Sequence, residues 1–497
     1  MRSKRDFVLN DDGTGVRNGF PVEEGADWIH VADEEPFERF WHEIRQHGFK
    51  TDEFPKSARN RLSFRDWVPP LTAADAFLQS ASIRQMASKG KGLFGKIRDF
   101  DLTGQDLPAG QFVAGLGYRS KGLMLAYYSI SAHTPGFLDI HPEPIGPETD
   151  DISVAGLRAD HIPHQLRFET SEFELRSPQG GICGYDELPQ AMAKQFTAAA
   201  AGQVPGQILF NQEVTKVELE NGVGIRVRTS GEAAGFTAAT AICTFSVGML
   251  NPETGKGAAI FGDALLPPAK RAALKIVKMG KITKFMMQFK EWVWRPNRPG
   301  FEMGIVSHAT GARRREPRTF FCSFPQLGAG PYVLCGLFMG VDQLILESIP
   351  DDVKAAEFLF RVIERIYNET PERPWSMEEK LVWRTLPDGR RVPNVYRKNW
   401  GDDPWARGGN SYLSYLPGRT IAEIRGAREA LKSPLATLPV FWAGEATAPA
   451  YHRKCQPLAV HGAFMSGLGA AEDVSWFLNN PNQDFPKFYR EKYHFVV

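Results

Sequence analysis

Lys284 occupies a setting in which its charge needs a partner. It ends the run Gly280-Lys281-Ile282-Thr283-Lys284, and the apolar residues Phe285 and Met286 follow at once. An isolated ammonium group is costly to bury, so this side chain either reaches solvent along its aliphatic stem or meets a functional partner. From the residues alone, a surface lysine is the simpler interpretation and a catalytic lysine is the alternative.

Three further side chains are of types that often contact a ligand. His30, in Trp28-Ile29-His30, carries an imidazole that titrates near neutral pH. Trp400 and Tyr412 lie in the stretch NWGDDPWARGGNSY and could form an aromatic wall of a binding site. A hydrogen-bonded structural histidine and ordinary core aromatics remain the alternatives.

The segment from Leu438 to Leu478 combines a short strand, a turn and a long helix. Its apolar start leads into Ala443-Gly444-Glu445, and the helix is predicted from about His461. The small residues that share one stripe of this helix are Gly462, Ser466, Gly469 and Ala470. Such a stripe allows a close backbone approach, which fits either tight helix packing or a helix whose positive N-terminal end faces a cofactor. Glu445 is either a cofactor ligand or a helix-capping carboxylate.

Two other regions have sequence patterns that predict their secondary structure. From Ile208 the sequence alternates between polar and apolar residues around Asn221-Gly222, a pair that suits a tight hairpin, and this predicts a β-meander followed by a strand near 240–245. Residues 351–367 show helical spacing behind Asp351, a predicted N-cap. Interleaved strands and helices predict an α/β (α+β) architecture.

Composition excludes several classes of protein. The chain has 497 residues, which predicts more than one domain, and its net charge of +1 provides no general field for nucleic acid or an anionic membrane. The longest apolar run, 332–341, is too short to cross a bilayer, and the basic start has no signal-peptide core behind it. The five cysteines are widely spaced, so we expect buried thiols, no metal site and a cytoplasmic protein.

The stretch FWAGEATAPAYHRKCQPLAVHGAFMSGLGAAEDV resembles the C-terminal FAD-binding signature of the flavin-containing amine oxidases. That family includes monoamine oxidases, polyamine oxidases and lysine-specific histone demethylases. Other stretches, all earlier in the chain, also resemble segments of the family and occur in the family's order. They are GFPVEEGADWIH, GGICGYDELPQAMAKQF, ILFNQEVTKVE, TAICTFSVGML and MGKITKFMMQF. The ordered matches cover most of the chain.

The resemblance implies roles for particular residues. The implied cofactor-binding residues are Gly25, Ala26, Val214, Trp400, Gly444, Glu445 and Val460. Glu445 would accept hydrogen bonds from the ribityl hydroxyls of FAD, and the helix that begins at Val460 would stabilise negative charge on the reduced flavin. Lys284 would hold a water against flavin N5, while His30 and Tyr412 would orient the amine. Asn410 or a neighbour replaces the covalent-flavin cysteine of monoamine oxidases, so the predicted FAD is non-covalent.

The implied fold is a two-domain flavin amine oxidase-like fold. The FAD-binding domain is predicted to be discontinuous, comprising residues 1–45, 170–260 and 395–480, and the substrate-binding domain comprises 46–169 and 261–394, with a C-terminal tail at 481–497.

The sequence departs from the family's pattern at its start. A strand, G-x-G-x-x-G and a helix should open the chain, but no such unit is found, and Gly115-Leu116-Gly117 is no substitute. The N-terminal Rossmann unit is therefore predicted to be incomplete, through a truncated sequence or gene model; a partner chain that supplies it is the alternative. Leu458-Ala459 also replace an aromatic residue of the family, and residues 446–457 are either an entrance loop or a surface insertion.

The reaction implied is oxidation of an amine C–N bond, as in polyamine oxidases. Hydride would leave the α-carbon for FAD, water would hydrolyse the imine, and O₂ would be reduced to hydrogen peroxide. The predicted partners are a small amine and O₂, with no nucleic acid or membrane, and a homodimer remains open. The alternative is a catalytically silent relative that acts as a binding or assembly subunit.

Overall fold

The computed structural model describes residues 2–26, 29, 33–53, 61–65, 93–116, 152–160, 173–198, 204–220, 224–232, 234–293, 302–306, 320–323, 331–368, 370, 372–434, 440–450, 457, 459–480, 488 and 491–492. Its helices are α1 (Glu38–Gln46), α2 (Leu93–Arg98), α3 (Ala109–Gly115), α4 (Val154–Asp160), α5 (Glu187–Thr197), α6 (Val247–Leu250), α7 (Gly257–Leu265), α8 (Pro268–Ile276), α9 (Val341–Glu347), α10 (Asp352–Tyr367), α11 (Met377–Lys380), α12 (Ile421–Lys432) and α13 (Val460–Asn479), with a 3₁₀ helix at Glu445–Ala450.

The strands fall into one larger sheet and several small ones. They are β1 (Ser3–Lys4), β2 (Val22–Glu23), β3 (Lys50–Glu53), β4 (Arg61–Arg65), β5 (Phe173–Arg176), β6 (Val214–Glu220), β7 (Gly224–Thr229), β8 (Phe236–Ala238), β9 (Ala241–Cys243), β10 (Val277–Met279), β11 (Ile282–Phe289), β12 (Glu302–Val306), β13 (Phe320–Ser323), β14 (Tyr332–Met339), β15 (Trp383–Thr385), β16 (Arg391–Pro393), β17 (Val395–Asn399), β18 (Ser411–Leu413) and β19 (Val440–Trp442).

The larger sheet has six strands in the order β17-β11-β14-β13-β12-β4. Its strand β11 is buried along its whole length, because β14 and β17 pair with its two edges and α10 packs against one face through a shared apolar core. As predicted, α10 begins behind Asp351, whose carboxylate accepts a hydrogen bond from the Lys354 N–H at 2.8 Å. This sheet is the rigid support for any side chain on β11.

A second group of elements surrounds the parallel pair β9–β19, in which Phe441 lies opposite Ile242. The predicted meander is present as β6-β7-β8. The prediction that it begins at Ile208 is wrong, since the first strand begins at Val214. Phe210 and Leu209 are exposed and pair with no strand in the described part of the chain, so alternation alone did not make a strand there.

The long helix α13 follows β19 and the 3₁₀ helix, close to its predicted start. Its stripe of small residues, Gly462, Ser466, Gly469 and Ala470, is buried as the packing interpretation requires. Ser466 has a second use, because its hydroxyl accepts a hydrogen bond from the Gly444 N–H at 2.6 Å. The stripe thus ties the turn after β19 to the first half of α13. Residues 446–448 are buried beneath it, so this part of the segment is not a surface insertion.

Cys183 and Cys243 are buried, as expected from the spacing of the cysteines. Burial raises the pKa of Cys183 and Cys243 to about 12, as expected of buried and unreactive thiols. None of the helices in the described ranges combines the length and the apolar character that a bilayer crossing requires.

The buried side chain of Lys270 should make the folding stability of the protein depend on pH. Its ammonium group is buried, donates to the carbonyls of Ala430 and Leu431 at the end of α12 (3.2 and 2.5 Å), and lies 4.7 Å from the centre of the Trp442 ring. Burial lowers its pKa from 10.5 to about 7. Between these two values the unfolded chain binds more protons than the folded chain, so stability rises with pH in that window.

We therefore expect the free energy of unfolding of the wild type to gain up to about 1.4 kcal/mol per pH unit between about pH 7.5 and 9.5, relative to Lys270→Met. Urea denaturation at each pH measures it. Lys275→Met, which changes a half-exposed lysine of the same helix, should keep the wild-type slope. Equal slopes for Lys270→Met and wild type would show that Lys270 does not titrate in this window.

Candidate functional site

Lys284 is fully enclosed in the middle of β11, with a relative exposure of 1 %. Its Nζ donates a hydrogen bond to the carbonyl oxygen of Gly25 at 3.0 Å. The surface-lysine interpretation is therefore wrong: β14 and β17 cover the strand on both sides, and a carbonyl from a segment 259 residues away accepts the lysine proton. A buried lysine held this way is a group that can orient a water or a ligand next to the sheet.

Trp400 meets the same segment of backbone. Its indole Nε1 donates to the carbonyl of Glu24 at 2.7 Å, and its ring is the described group that a Cβ at Gly25 would approach, at 3.8 Å. Lys398 stands over the indole face at 4.9 Å. The carbonyls of the adjacent residues Glu24 and Gly25 thus accept hydrogen bonds from an indole and an ammonium group, respectively.

An ionic network, in which the carboxylates are buried and Arg2 is exposed, surrounds Glu24. The Glu24 carboxylate, 4 % exposed, pairs with Arg2 Nε at 2.9 Å and accepts a hydrogen bond from the Tyr396 hydroxyl at 2.6 Å. Burial, together with the hydrogen bond to Glu24, raises the pKa of Tyr396, so the phenol stays protonated and keeps donating. Asp403 extends the network by pairing with Arg2 and Lys398. The sheet side of the site is consequently pre-organised.

Gly444 and Glu445 form the other side of the site. Gly444 has a φ of +140°, a conformation that favours glycine, and no heavy atom of the described residues lies within 4 Å of the position of a Cβ there. Glu445 is partly exposed, and its Oε2 accepts a hydrogen bond from the Ser411 hydroxyl at 2.8 Å. A carboxylate beside an open glycine provides an acceptor for hydroxyl groups and room for them to approach.

The start of α13 joins the two sides. Val460 and Ala26 pack on the same apolar cluster, which also contains Ala448 of the 3₁₀ helix. The preceding residue, Ala459, has no polar group in its side chain and does not cap the helix, and the first turn of a helix is where backbone N–H groups can meet an anionic ligand. Ala26 and Val460 are both partly exposed, as are Gly25 and Trp400.

Two predicted residues, Val214 and Tyr412, make other contacts in the described part of the chain, and a third lies outside that part. Val214 begins β6 and packs on a different cluster, which includes Trp442 and Ala446. Tyr412 is 2 % exposed and lies on β18 opposite Lys278, immediately after Ser411. His30 lies outside the described residues. The roles predicted for these residues stay predictions.

The structure adds three residues that the sequence did not single out: Arg428, Asp160 and Ser411. Arg428 and Asp160 form a buried ion pair, each 3 % exposed, and Arg428 also donates to the Ser411 hydroxyl. A signal for Arg428 does exist, because it shares the buried face of α12 with Ile421, Ile424 and Leu431. A charge at an apolar position of a helix indicates a buried partner.

The sequence model of the flavin-containing amine oxidoreductases matches residues 9–475, nearly the whole chain. The chain belongs to this family. The predicted resemblance is confirmed, and so is FAD as the cofactor of this flavin-containing family.

Curated relatives in this family include histone demethylases and polyamine oxidases. A possible lysine-specific histone demethylase 1 of Drosophila melanogaster is 26 % identical over 307 residues, which cover 60 % of this chain and 30 % of the relative. A peroxisomal N(1)-acetyl-spermine/spermidine oxidase of Homo sapiens is 24 % identical over 254 residues, covering 48 % of this chain and 42 % of the relative. The similar part spans less than half the length of these relatives.

Among solved structures, wild-type putrescine oxidase bound to putrescine is similar with a TM-score of 0.59 and 14 % identity, over 95 % of this chain and 92 % of that chain. A double mutant of the same enzyme gives a TM-score of 0.60. At this identity the likeness concerns the fold, and it confirms the predicted mixed, two-domain amine oxidase-like architecture.

The residues of the site fit an FAD group. The open position at Gly444 leaves room for a ligand, Glu445 offers an acceptor for hydroxyls, and the start of α13, which no side chain of the described residues caps, can offer donors to an anionic group. No group of three or more His, Cys, Asp or Glu that could hold a metal ion is found in the part of the chain that the structure describes.

Proposed function

We propose that this protein is an FAD-dependent amine oxidase that acts on a small amine in the manner of polyamine oxidases. The observation that carries the proposal is the buried Lys284, held by the Gly25 carbonyl beside Trp400 in a chain that belongs to the flavin-containing amine oxidoreductases. FAD, when bound, accepts hydride from the amine α-carbon and passes the electrons to O₂, which yields hydrogen peroxide.

In this proposal the chain's own residues bind and orient. The Lys284 ammonium, which also donates to the Gly25 carbonyl, would hold a water beside the reacting centre. The indole of Trp400, fixed through Glu24, provides a flat apolar wall that excludes bulk water and orients the neutral amine. Tyr412 and His30 are the proposed further contacts to the amine.

The cofactor contacts are proposed on the same grounds. Glu445 would accept hydrogen bonds from the ribityl chain, and Val460 would present its N–H to the anionic edge of the reduced flavin, where the helix dipole adds stabilisation. Gly25, Ala26 and Gly444 would let the cofactor approach the backbone, and Val214 would bind the adenine through its main chain. We also propose that FAD is bound non-covalently and that the chain is divided into the FAD-binding and substrate-binding domains predicted from the sequence.

Anaerobic mixing tests the proposed function. The FAD-loaded protein is mixed separately with putrescine, spermidine, N(1)-acetylspermine and a dimethyl-lysine histone peptide, and the visible flavin absorbance is followed. We expect one of the small amines to bleach it, and admission of air to release hydrogen peroxide in proportion. Bleaching by the peptide alone would assign a demethylase, and an unchanged spectrum with every compound would contradict the proposal.

A further inference from the structure

A series of hydrogen bonds connects the buried Asp160, Arg428 and Ser411 to Glu445. Arg428 on α12 donates twice to Asp160, from Nε at 2.9 Å and from Nη2 at 2.7 Å. Its Nη1 donates to the Ser411 hydroxyl at 2.8 Å and to the Ala446 carbonyl at 2.9 Å. The Ser411 hydroxyl in turn donates to Glu445 Oε2 at 2.8 Å. Four elements, α4, α12, β18 and the 3₁₀ helix, therefore meet at one network.

The direction of these hydrogen bonds is fixed by chemistry. A guanidinium group has donors only, so the Ser411 oxygen must accept from Arg428. Ser411 then has a single proton left to donate, and Glu445 is its acceptor. Because Ser411 is fully buried, no water competes for that proton. One oxygen of this partly exposed carboxylate is consequently fixed in place.

The placement of Asp160 shows that the network has its own structural support. Asp160 on α4 and Arg428 are each 3 % exposed, so each charge is the compensating partner that the other needs in the interior. Helix α4 is held in register by Asp106, which accepts from Ser153 Oγ at 2.7 Å and from the Ala155 N–H at 2.9 Å. It also lies close against β18, because a Cβ at Gly156 would stand 2.5 Å from the Leu413 Cβ.

We infer that Ser411, Arg428 and Asp160 are positioning residues that hold the Glu445 carboxylate in the geometry required to bind the ribityl hydroxyls of FAD. The inference rests on the proposed function, in which Glu445 is an FAD ligand. Asp160 lies in the predicted substrate-binding segment 46–169 and Arg428 in the predicted FAD-binding segment 395–480. The network therefore connects the two predicted domains at the cofactor.

Ser411→Ala is the variant that tests the network. Replacing Arg428 would leave Asp160 as an uncompensated buried charge and could unfold the protein. Ser411→Ala removes one hydroxyl and leaves the ion pair intact. We expect the FAD dissociation constant to rise about tenfold, equivalent to about 1.4 kcal/mol. Ser414→Ala is the matched control, since Ser414 is equally buried and its hydroxyl contacts the Lys275 carbonyl instead; its affinity for FAD should stay within about twofold of wild type.

A double-mutant cycle with Glu445→Ala separates positioning from general stability. If Ser411 acts through Glu445, then Ser411→Ala should weaken FAD binding no further once Glu445 is alanine. Fluorescence titration with FAD measures all four affinities, and urea denaturation of the apoproteins reports the stability of each variant. The network would be overturned if the effects of Ser411→Ala and Glu445→Ala on FAD affinity were additive, or if Ser411→Ala bound FAD as tightly as Ser414→Ala. In either case the proposed function would still be supported if the wild type binds FAD and Glu445→Ala weakens that binding. A wild type that binds no FAD would overturn both.

Discussion

Lys284→Met should slow flavin reduction by the amine, or reoxidation by O₂, about 100-fold, with FAD still bound. Methionine matches the length and the apolar stem of lysine, so it fits the enclosed position on β11 between β14 and β17. It lacks the ammonium group that donates to the Gly25 carbonyl and, in the proposed reaction, holds a water beside the reacting centre. Anaerobic stopped-flow reduction and a separate reoxidation experiment measure the two half-reactions.

Lys290→Met is the control for this prediction. Lys290 follows β11 directly, is exposed, and donates to the Glu378 carbonyl at 2.7 Å, so its loss should leave both half-reactions within about twofold of wild type. If Lys284→Met reduces and reoxidises its flavin at wild-type rates, Lys284 has no part in the chemistry and serves only to join β11 to the segment at Gly25.

Glu445→Ala should raise the dissociation constant of FAD by about 10- to 100-fold. Hydrogen bonds to a charged acceptor contribute about 1.5–3 kcal/mol, and the variant removes every bond that the carboxylate makes to the cofactor. It also leaves the Ser411 hydroxyl without the acceptor that it has in the wild type. Quenching of flavin fluorescence on titration of the apoprotein with FAD measures the change.

Glu472→Ala is the matched control for Glu445. Glu472 lies on α13, is about half exposed, and pairs with Arg39 and Lys492 at the surface. Its loss should leave FAD affinity unchanged, because exposed pairs of this kind contribute little. Equal FAD affinities for Glu445→Ala and Glu472→Ala would remove Glu445 from the cofactor site.

Elements with a local signal could be predicted from the sequence. Helix α10 combines an N-cap at Asp351 with helical spacing of its apolar residues, and both signals lie within the helix itself. The strand–turn–helix around Gly444 is equally local, since a glycine at positive φ and a stripe of small residues are visible in one contiguous segment. The second of these segments contains Gly444 and Glu445, two of the proposed cofactor contacts.

Features that depend on distant partners could not be predicted. Ile208 to Phe210 have the composition of a strand, yet a strand also needs a neighbouring strand, and the described part of the chain places none there. The ion pair of Asp160 with Arg428 joins residues 268 positions apart, and no local pattern encodes such a pairing. For Lys284, the sequence indicated that a partner was needed but could not identify the carbonyl of Gly25.

The central claim is that a set of residues together encloses the reactive half of FAD: Gly25, Lys284, Trp400, Glu445 and Val460. The most direct test is to strip the purified protein of flavin and titrate it with FAD. Calorimetry gives the stoichiometry, and circular dichroism in the visible range reports whether the flavin ring is held in an asymmetric protein site. We predict saturation at about one FAD per chain with an induced visible signal, weakened in Glu445→Ala. A chain that takes up no FAD and stays colourless would contradict the account.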